Sequence, residues 1–170
     1  MLKKRLRIPG SLGAALGAEL DIPEQGKPRA YALFAHFFTC SRNLKSFHII
    51  CEELARQGIA VLRFDFTGIG DSDGIFSQTN FASDVDDIVA VAEYMAANYE
   101  APKLLIGHSM GGKVAMQFAV TYPELVDKLI VADISPQYYK PHHEYILAAL
   151  NSINFSIHTS RKKVAEALRI

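Results

Sequence analysis

The sequence is short of cysteine, carries no net charge and contains no long apolar run. Each shortage excludes something. Eighteen basic residues balance eighteen acidic ones, so no global field points to nucleic acid or to an anionic membrane surface. No apolar run reaches the ~18 residues of a membrane span. The opening Met1-Leu2-Lys3-Lys4-Arg5-Leu6-Arg7 is basic but leads into no apolar h-region, so no signal peptide is expected. Cys40 and Cys51 lack metal-ligand spacing, which fits free thiols, buried or half-buried, in a reducing cytoplasm. Nothing calls for a metal or a cofactor. Internal repeats and low-complexity segments are absent too. What remains is a chain of 170 residues, 49% hydrophobic and 21% charged, long enough for one domain with a sizeable core.

One stretch organises the rest. Leu104-Leu105-Ile106 reads as a buried strand, and Gly107-His108-Ser109-Met110-Gly111 turns it abruptly into a helix carrying Val114, Ala115, Phe118 and Ala119 at helical spacing. Gly-x-Ser-x-Gly by itself arises by chance in roughly one chain of this length in twenty. A chance match seldom also follows an apolar strand and opens an amphipathic helix, the context of a nucleophile elbow. The turn predicts strained backbone at Ser109. It also predicts close neighbours at Gly107 and Gly111 that leave no room for a side chain. The plain alternative is a glycine-rich loop.

Around this stretch the chain alternates. Lys4 to Ile8 and Ala14 to Leu20 flank Pro9-Gly10-Ser11-Leu12-Gly13, a hairpin signal. Asp21 to Pro28 reads as a surface loop and Tyr31 to Ala35 as a short strand. From Asn43 to Gln57 a helix presents Leu44, Phe47, Ile50, Cys51 and Leu54. Ile59 to Phe64 is the next buried strand, leaving into an aspartate- and glycine-rich turn over 65–74. Thr79 or Asn80 caps a helix facing inward through Phe81, Val85, Ile88, Ala92 and Met95. Leu129 to Ala132 is the last clear strand. Such alternation predicts an α/β fold: a mostly parallel, doubly wound sheet behind an antiparallel N-terminal hairpin. Residues 1–136 form this core. Residues 137–170 read as a helical, cap-like tail of the same domain, with Tyr145, Ile146, Ala149, Leu150 and Ile153 at helical spacing and a final short helix after Ser160.

This order of elements, with its Gly-x-Ser-x-Gly elbow, resembles the α/β-hydrolase fold over nearly the whole chain. His36-Phe37-Phe38 is similar to the family's oxyanion loop, with Phe37 where glycine is common. Asp65 to Ser72 resembles its Asp-x-x-Gly-x-Gly-x-Ser turn, which is mainly structural. The portion through Ser109 resembles bacterial hydrolases joined to osmotically induced peroxide-resistance domains; the later portion resembles small bacterial acyl-ester hydrolases, a pairing that suggests a hybrid of two sequences. Against the family, the chain stops before the usual seventh and eighth strands, and with them the loop that carries the catalytic histidine.

Acyl transfer needs a nucleophile, a base, a group orienting the base, and donors for the oxyanion. The resemblance implies Ser109 as nucleophile, the backbone N–H groups of Met110 and Phe38 as the oxyanion hole, and Asp133, in Asp133-Ile134-Ser135-Pro136, as the acid. A turn cap is the plain alternative for Asp133, and core packing for the Phe37 and Phe38 rings. Asp65, Asp71 and Asp73 read as turn formers. His36 and His108 read as structural, His48 as solvent-facing or packed. His142 and His143 are the candidate bases, ahead of His158, because Pro141 can bend their segment back toward Ser109; a solvated surface histidine is the alternative for each. The implied activity is hydrolysis of small to medium acyl esters by a serine esterase. Thioesterase and acyltransferase chemistry would use the same serine, and a non-catalytic binding module is the alternative of another class. Ending the sheet at Asp133 would leave an exposed strand edge, from which a homo-oligomer, a dimer, is expected.

Overall fold

The computed structural model describes residues 1–36, 42 and 45–137. The chain divides into two compact units, Met1–Pro136 and Gln137–Ile170. The first is a six-stranded sheet whose strands run β1 (Leu2–Pro9), β2 (Ala15–Ile22), β3 (Ala30–Ala35), β4 (Ile59–Phe64), β5 (Leu104–His108) and β6 (Lys128–Ala132) along the sequence. In space the order is β1-β2-β4-β3-β5-β6. The β1–β2 and β2–β4 pairs are antiparallel; β3, β4, β5 and β6 run parallel. Helix α1 (Lys45–Arg56) links β3 to β4, α2 (Phe81–Asn98) links β4 to β5, and α3 (Met110–Thr121) links β5 to β6. This is the doubly wound sheet with an antiparallel hairpin that the alternation predicts.

Period-two alternation in the central strands loads both faces. Ala32, Phe34, Val61 and Ile106 meet Phe47 and Cys51 of α1 on one side. Leu33, Leu62 and Leu105 meet Ile88, Met95, Val114 and Phe118 of α2 and α3 on the other. Parallel strands buried on both faces read as continuous apolar runs, which is why they were legible. The helices differ in detail. On α1 the inward row is Phe47, Cys51 and Ala55, one residue every four. Ile50 is left 43% exposed and Phe81, opening α2, 42% exposed, so neither belongs to the buried row that its helical spacing predicts. Among the described residues no helix is long and apolar enough to cross a membrane.

The hairpin strand β2 runs two residues beyond the expected Leu20, through Asp21 to Ile22. Sequence alone makes Asp21 a loop residue; the structure buries it to pair with Arg63 of β4, whose Nη2 lies 2.9 Å from the Asp21 carboxylate and 2.5 Å from that of Glu19. Removing charges from water is unfavourable by several kcal/mol per ion unless they are paired. Burial accordingly pushes the Asp21 carboxyl up, against the pull of Arg63.

Asn80 caps α2, accepting from the N–H groups of Ala82 and Ser83 while Ser83 Oγ accepts from Asn80 N–H. One turn on, Asp87 is buried and holds two loops at once: it accepts from Ser11 N–H and Oγ–H in the hairpin turn and from Thr67 N–H after β4. Its neighbour Asp84 is 2% exposed, and burial together with the Asp87 charge pushes its carboxyl up to about 6. A carboxyl raised on folding binds its proton more tightly in the folded state, so its contribution is present at low pH and lost as pH rises toward the folded value. Asp84→Asn should therefore gain stability over its parent between pH about 4 and 6, reaching about 3 kcal/mol and staying level above. Urea unfolding of both proteins across that range checks this; a gap independent of pH would show that Asp84 is not strained by ionisation.

Candidate active site

Strand β5 passes straight into α3, and Ser109 is the joint. Its φ of 53° and ψ of −125° lie in a region that side chains other than glycine seldom occupy, at about 1–3 kcal/mol of strain. Neighbours over-determine the turn. Ser109 N–H donates to the Ala132 carbonyl at 2.9 Å, and its own carbonyl accepts from Gly112 N–H at 2.8 Å. A Cβ on Gly107 would stand 2.6 Å from Gly112 Cα and 2.8 Å from Ala115 Cβ. One on Gly111 would strike the His36 carbonyl oxygen and lie 2.6 Å from that of Ala35. A third glycine, Gly112, is equally confined: a Cβ there would stand 2.7 Å from Ile134 Cγ2. The Ser109 side chain is half-buried and makes no cap bond to the helix it precedes.

Met110 opens α3 and is 39% exposed. As the first helical residue, its N–H has no carbonyl within the helix to bond, and the helix end carries partial positive charge. Phe37 and Phe38 lie outside the described residues, so the second expected donor does too. The elbow nonetheless touches the point where that segment starts, since Gly111 packs on Ala35 and His36.

Asp133 follows β6 immediately, with a positive φ of 60°, tolerated better by aspartate than by most residues. Its side chain is 79% exposed and stands 3.8 Å from His108 Nε2. His108, edge-on to Phe47 with ring centres 5.7 Å apart, thus packs and also meets Asp133. The candidate bases His142 and His143, with His158, lie outside the described residues.

A buried ionic group sits beside the elbow, and reading the aspartates as turn formers missed it. Asp65, the residue after β4, is fully buried. One carboxylate oxygen accepts from Arg42 N–H at 2.7 Å and stands 3.2 Å from His36 Nε2; the other accepts from Asp71 N–H at 3.1 Å and from the Arg42 guanidinium. Arg42 reaches on to Asp71 at 2.7 Å. Burial alone would raise the Asp65 carboxyl, but His36, the two N–H groups and the Arg42 charge outweigh it and hold the carboxyl below its ordinary range. The signal in the sequence was slight: a single charge, Arg42, between an apolar strand end and the next helix. Among the described residues no group of three or more His, Cys, Asp or Glu is placed to hold a metal ion.

Comparison with known proteins places the fold in a family. A family model described as serine aminopeptidase, S33, matches residues 26–170. Over 109 residues the chain is 37% identical to sn-1-specific diacylglycerol lipase ABHD11 of Danio rerio, covering 61% of this chain and 32% of that protein. Over 103 residues it is 30% identical to esterase YbfF of Escherichia coli (strain K12), covering 60% of this chain and 38% of that one. The esterase domain of a Rhodothermus marinus protein superposes with a TM-score of 0.62 at 42% identity, covering 79% of this chain and 54% of that chain. The matched region therefore spans about a third of these curated relatives. With the family model matched from residue 26 onward on a mostly parallel sheet of this order, the chain belongs to the α/β-hydrolase family described as serine aminopeptidase, S33.

Proposed function

We propose that this chain carries the nucleophile and oxyanion region of a carboxylic-ester hydrolase for small to medium acyl esters. One observation bears the weight: Ser109 sits at positive φ between β5 and the first turn of α3. That geometry projects a hydroxyl beside helix N–H groups, an arrangement suited to a carbonyl turning into an oxyanion. The lipase and esterase names of the relatives favour the same chemistry.

In this reading Ser109 Oγ attacks the ester carbonyl while a histidine takes its proton. The N–H groups of Met110 and Phe38 hold the resulting oxyanion. Collapse expels the alcohol, which receives the proton, and leaves an acyl group on Ser109. Water, deprotonated by the same histidine, then releases the acid and restores the hydroxyl. Asp133 orients the base, which is His142 or His143 of this chain or a histidine of a second copy. Its exposure leaves room for such a partner. Thioester cleavage and acyl transfer would share the first half-reaction and differ in the acyl donor or acceptor.

A fluorophosphonate probe should label Ser109, and Ser109→Ala should abolish labelling and hydrolysis of p-nitrophenyl butyrate together. A folded parent that resists the probe would support the non-catalytic binding module instead. Asp133→Asn should lower kcat by about 10²-fold or more through loss of base orientation; a parent-like rate would remove Asp133 from the triad. His142→Ala and His143→Ala, measured singly, identify the base. Recovery of activity on mixing the inactive histidine variant with Ser109→Ala would show that the base comes from a second copy.

A further inference from the structure

We propose that Arg42 and Asp65 form a clamp that positions the oxyanion-binding segment, both of its ends being fastened to one buried carboxylate. The inference rests on the reading of Ser109 as nucleophile and of the segment after β3 as donor to the oxyanion. Residues 36 and 42 bracket that segment. His36 Nε2 lies 3.2 Å from Asp65 Oδ1, and Arg42 N–H donates to the same oxygen at 2.7 Å. The guanidinium of Arg42 closes on Asp65 Oδ2 and on Asp71. The Arg42 carbonyl is held as well: it accepts from Arg63 Nη1 at 2.6 Å. Arg63 is itself fixed in the sheet by Asp21 and Glu19. Amide, carbonyl and side chain of one residue are thus each bound to a group from the sheet or from the turn after β4. At the other end, the His36 carbonyl seats against Gly111 in the elbow.

Stability is a weak reason for such a group. Arg42 is 5% exposed and Asp65 not at all, and buried ion pairs of this kind are often matched or bettered by well-packed apolar residues. Geometry is a stronger one. An oxyanion donor acts only when it lies about 2.7–3.1 Å from the oxygen as charge develops, and a misplacement of about 1 Å can cost about 10²-fold in rate. The donor meets full charge in the transition state and little in the bound ester, so loosening it lowers kcat and leaves KM nearly alone. Arg42 and Asp65 touch no reacting atom. They are positioning residues.

The full chain with Arg42→Ala and Arg42→Lys tests this. Lysine keeps the charge and both backbone bonds but loses the fork that spans Asp65 and Asp71. Arg42→Ala should lower kcat for p-nitrophenyl butyrate by about tenfold to hundredfold with KM within about twofold, and Arg42→Lys should recover part of the loss. Hydrogen exchange of peptides covering 37–41 should speed up in Arg42→Ala, while peptides of β5 keep the parent's rate. Unchanged exchange, unchanged kcat, or a loss shared by KM would each overturn the positioning role. If Arg42→Ala does not fold, Arg42→Lys is judged by the same two readouts. Should the parent itself resist the fluorophosphonate probe, the hydrolase reading and the positioning role fall together. Exchange over 37–41 would then still report whether the clamp exists.

Discussion

Everything at the candidate site depends on the seating of Gly111 against the end of β3. That contact admits no Cβ, because the carbonyl oxygens of Ala35 and His36 occupy its place. It presses the first turn of α3 onto the end of β3. The register Ala35↔Gly107 and His108↔Ala132 then aligns the ends of β3, β5 and β6. Three strand ends from separate stretches of the chain are thus brought to one edge of the sheet. The positive φ of Ser109 follows from this seating, since the chain must reverse from strand to helix within one residue. Backbone packing offsets the strain, at about 1–3 kcal/mol, and the side chain is left outside the packed interior.

Two buried arginines complete the frame on the adjoining strands. Arg63 ties β4 to β2 through Asp21 and Glu19, and Arg42 ties the start of α1 to the turn after β4 through Asp65 and Asp71. The Arg63–Arg42 carbonyl bond joins the two sets. Apolar side chains fill both faces of the sheet centre, where hydrophobic groups of about the right volume suffice for the fold. Directional bonds cluster instead at the end of β4 next to the elbow.

The parts legible in the sequence are those set by short-range periodicity. Strands β3, β4 and β5 announce themselves as apolar runs, α2 through a cap at Thr79 or Asn80, and the elbow through its Gly-x-Ser-x-Gly spacing, although the contact that Gly111 makes, with Ala35 and His36, is distant in sequence. The parts that were not legible rest on partners distant in sequence. Asp21 looks like loop until Arg63, forty-two residues on, is seen beside it. Asp65 looks like a turn former until His36 and Arg42 converge on it. Ile50 and Phe81 fit their helical stripes, yet both stay exposed. Gly112 stands beyond the Gly-x-Ser-x-Gly pattern, and a side chain there would meet Ile134 and Val131, which return to that spot from β6 and the residues after it. Phe38, His142 and His143 lie outside the described residues, so their roles rest on resemblance and on the proposal.

The central claim is that Ser109 forms an acyl intermediate, and mass spectrometry on the quenched reaction tests it most directly. Rapid mixing with p-nitrophenyl acetate, acid quenching and proteolysis should yield a single acetyl group on the peptide that contains Ser109, formed as fast as the first p-nitrophenol is released. An acetyl group on another residue, or release of p-nitrophenol from folded protein with no acetyl group on Ser109 at any mixing time, would contradict it.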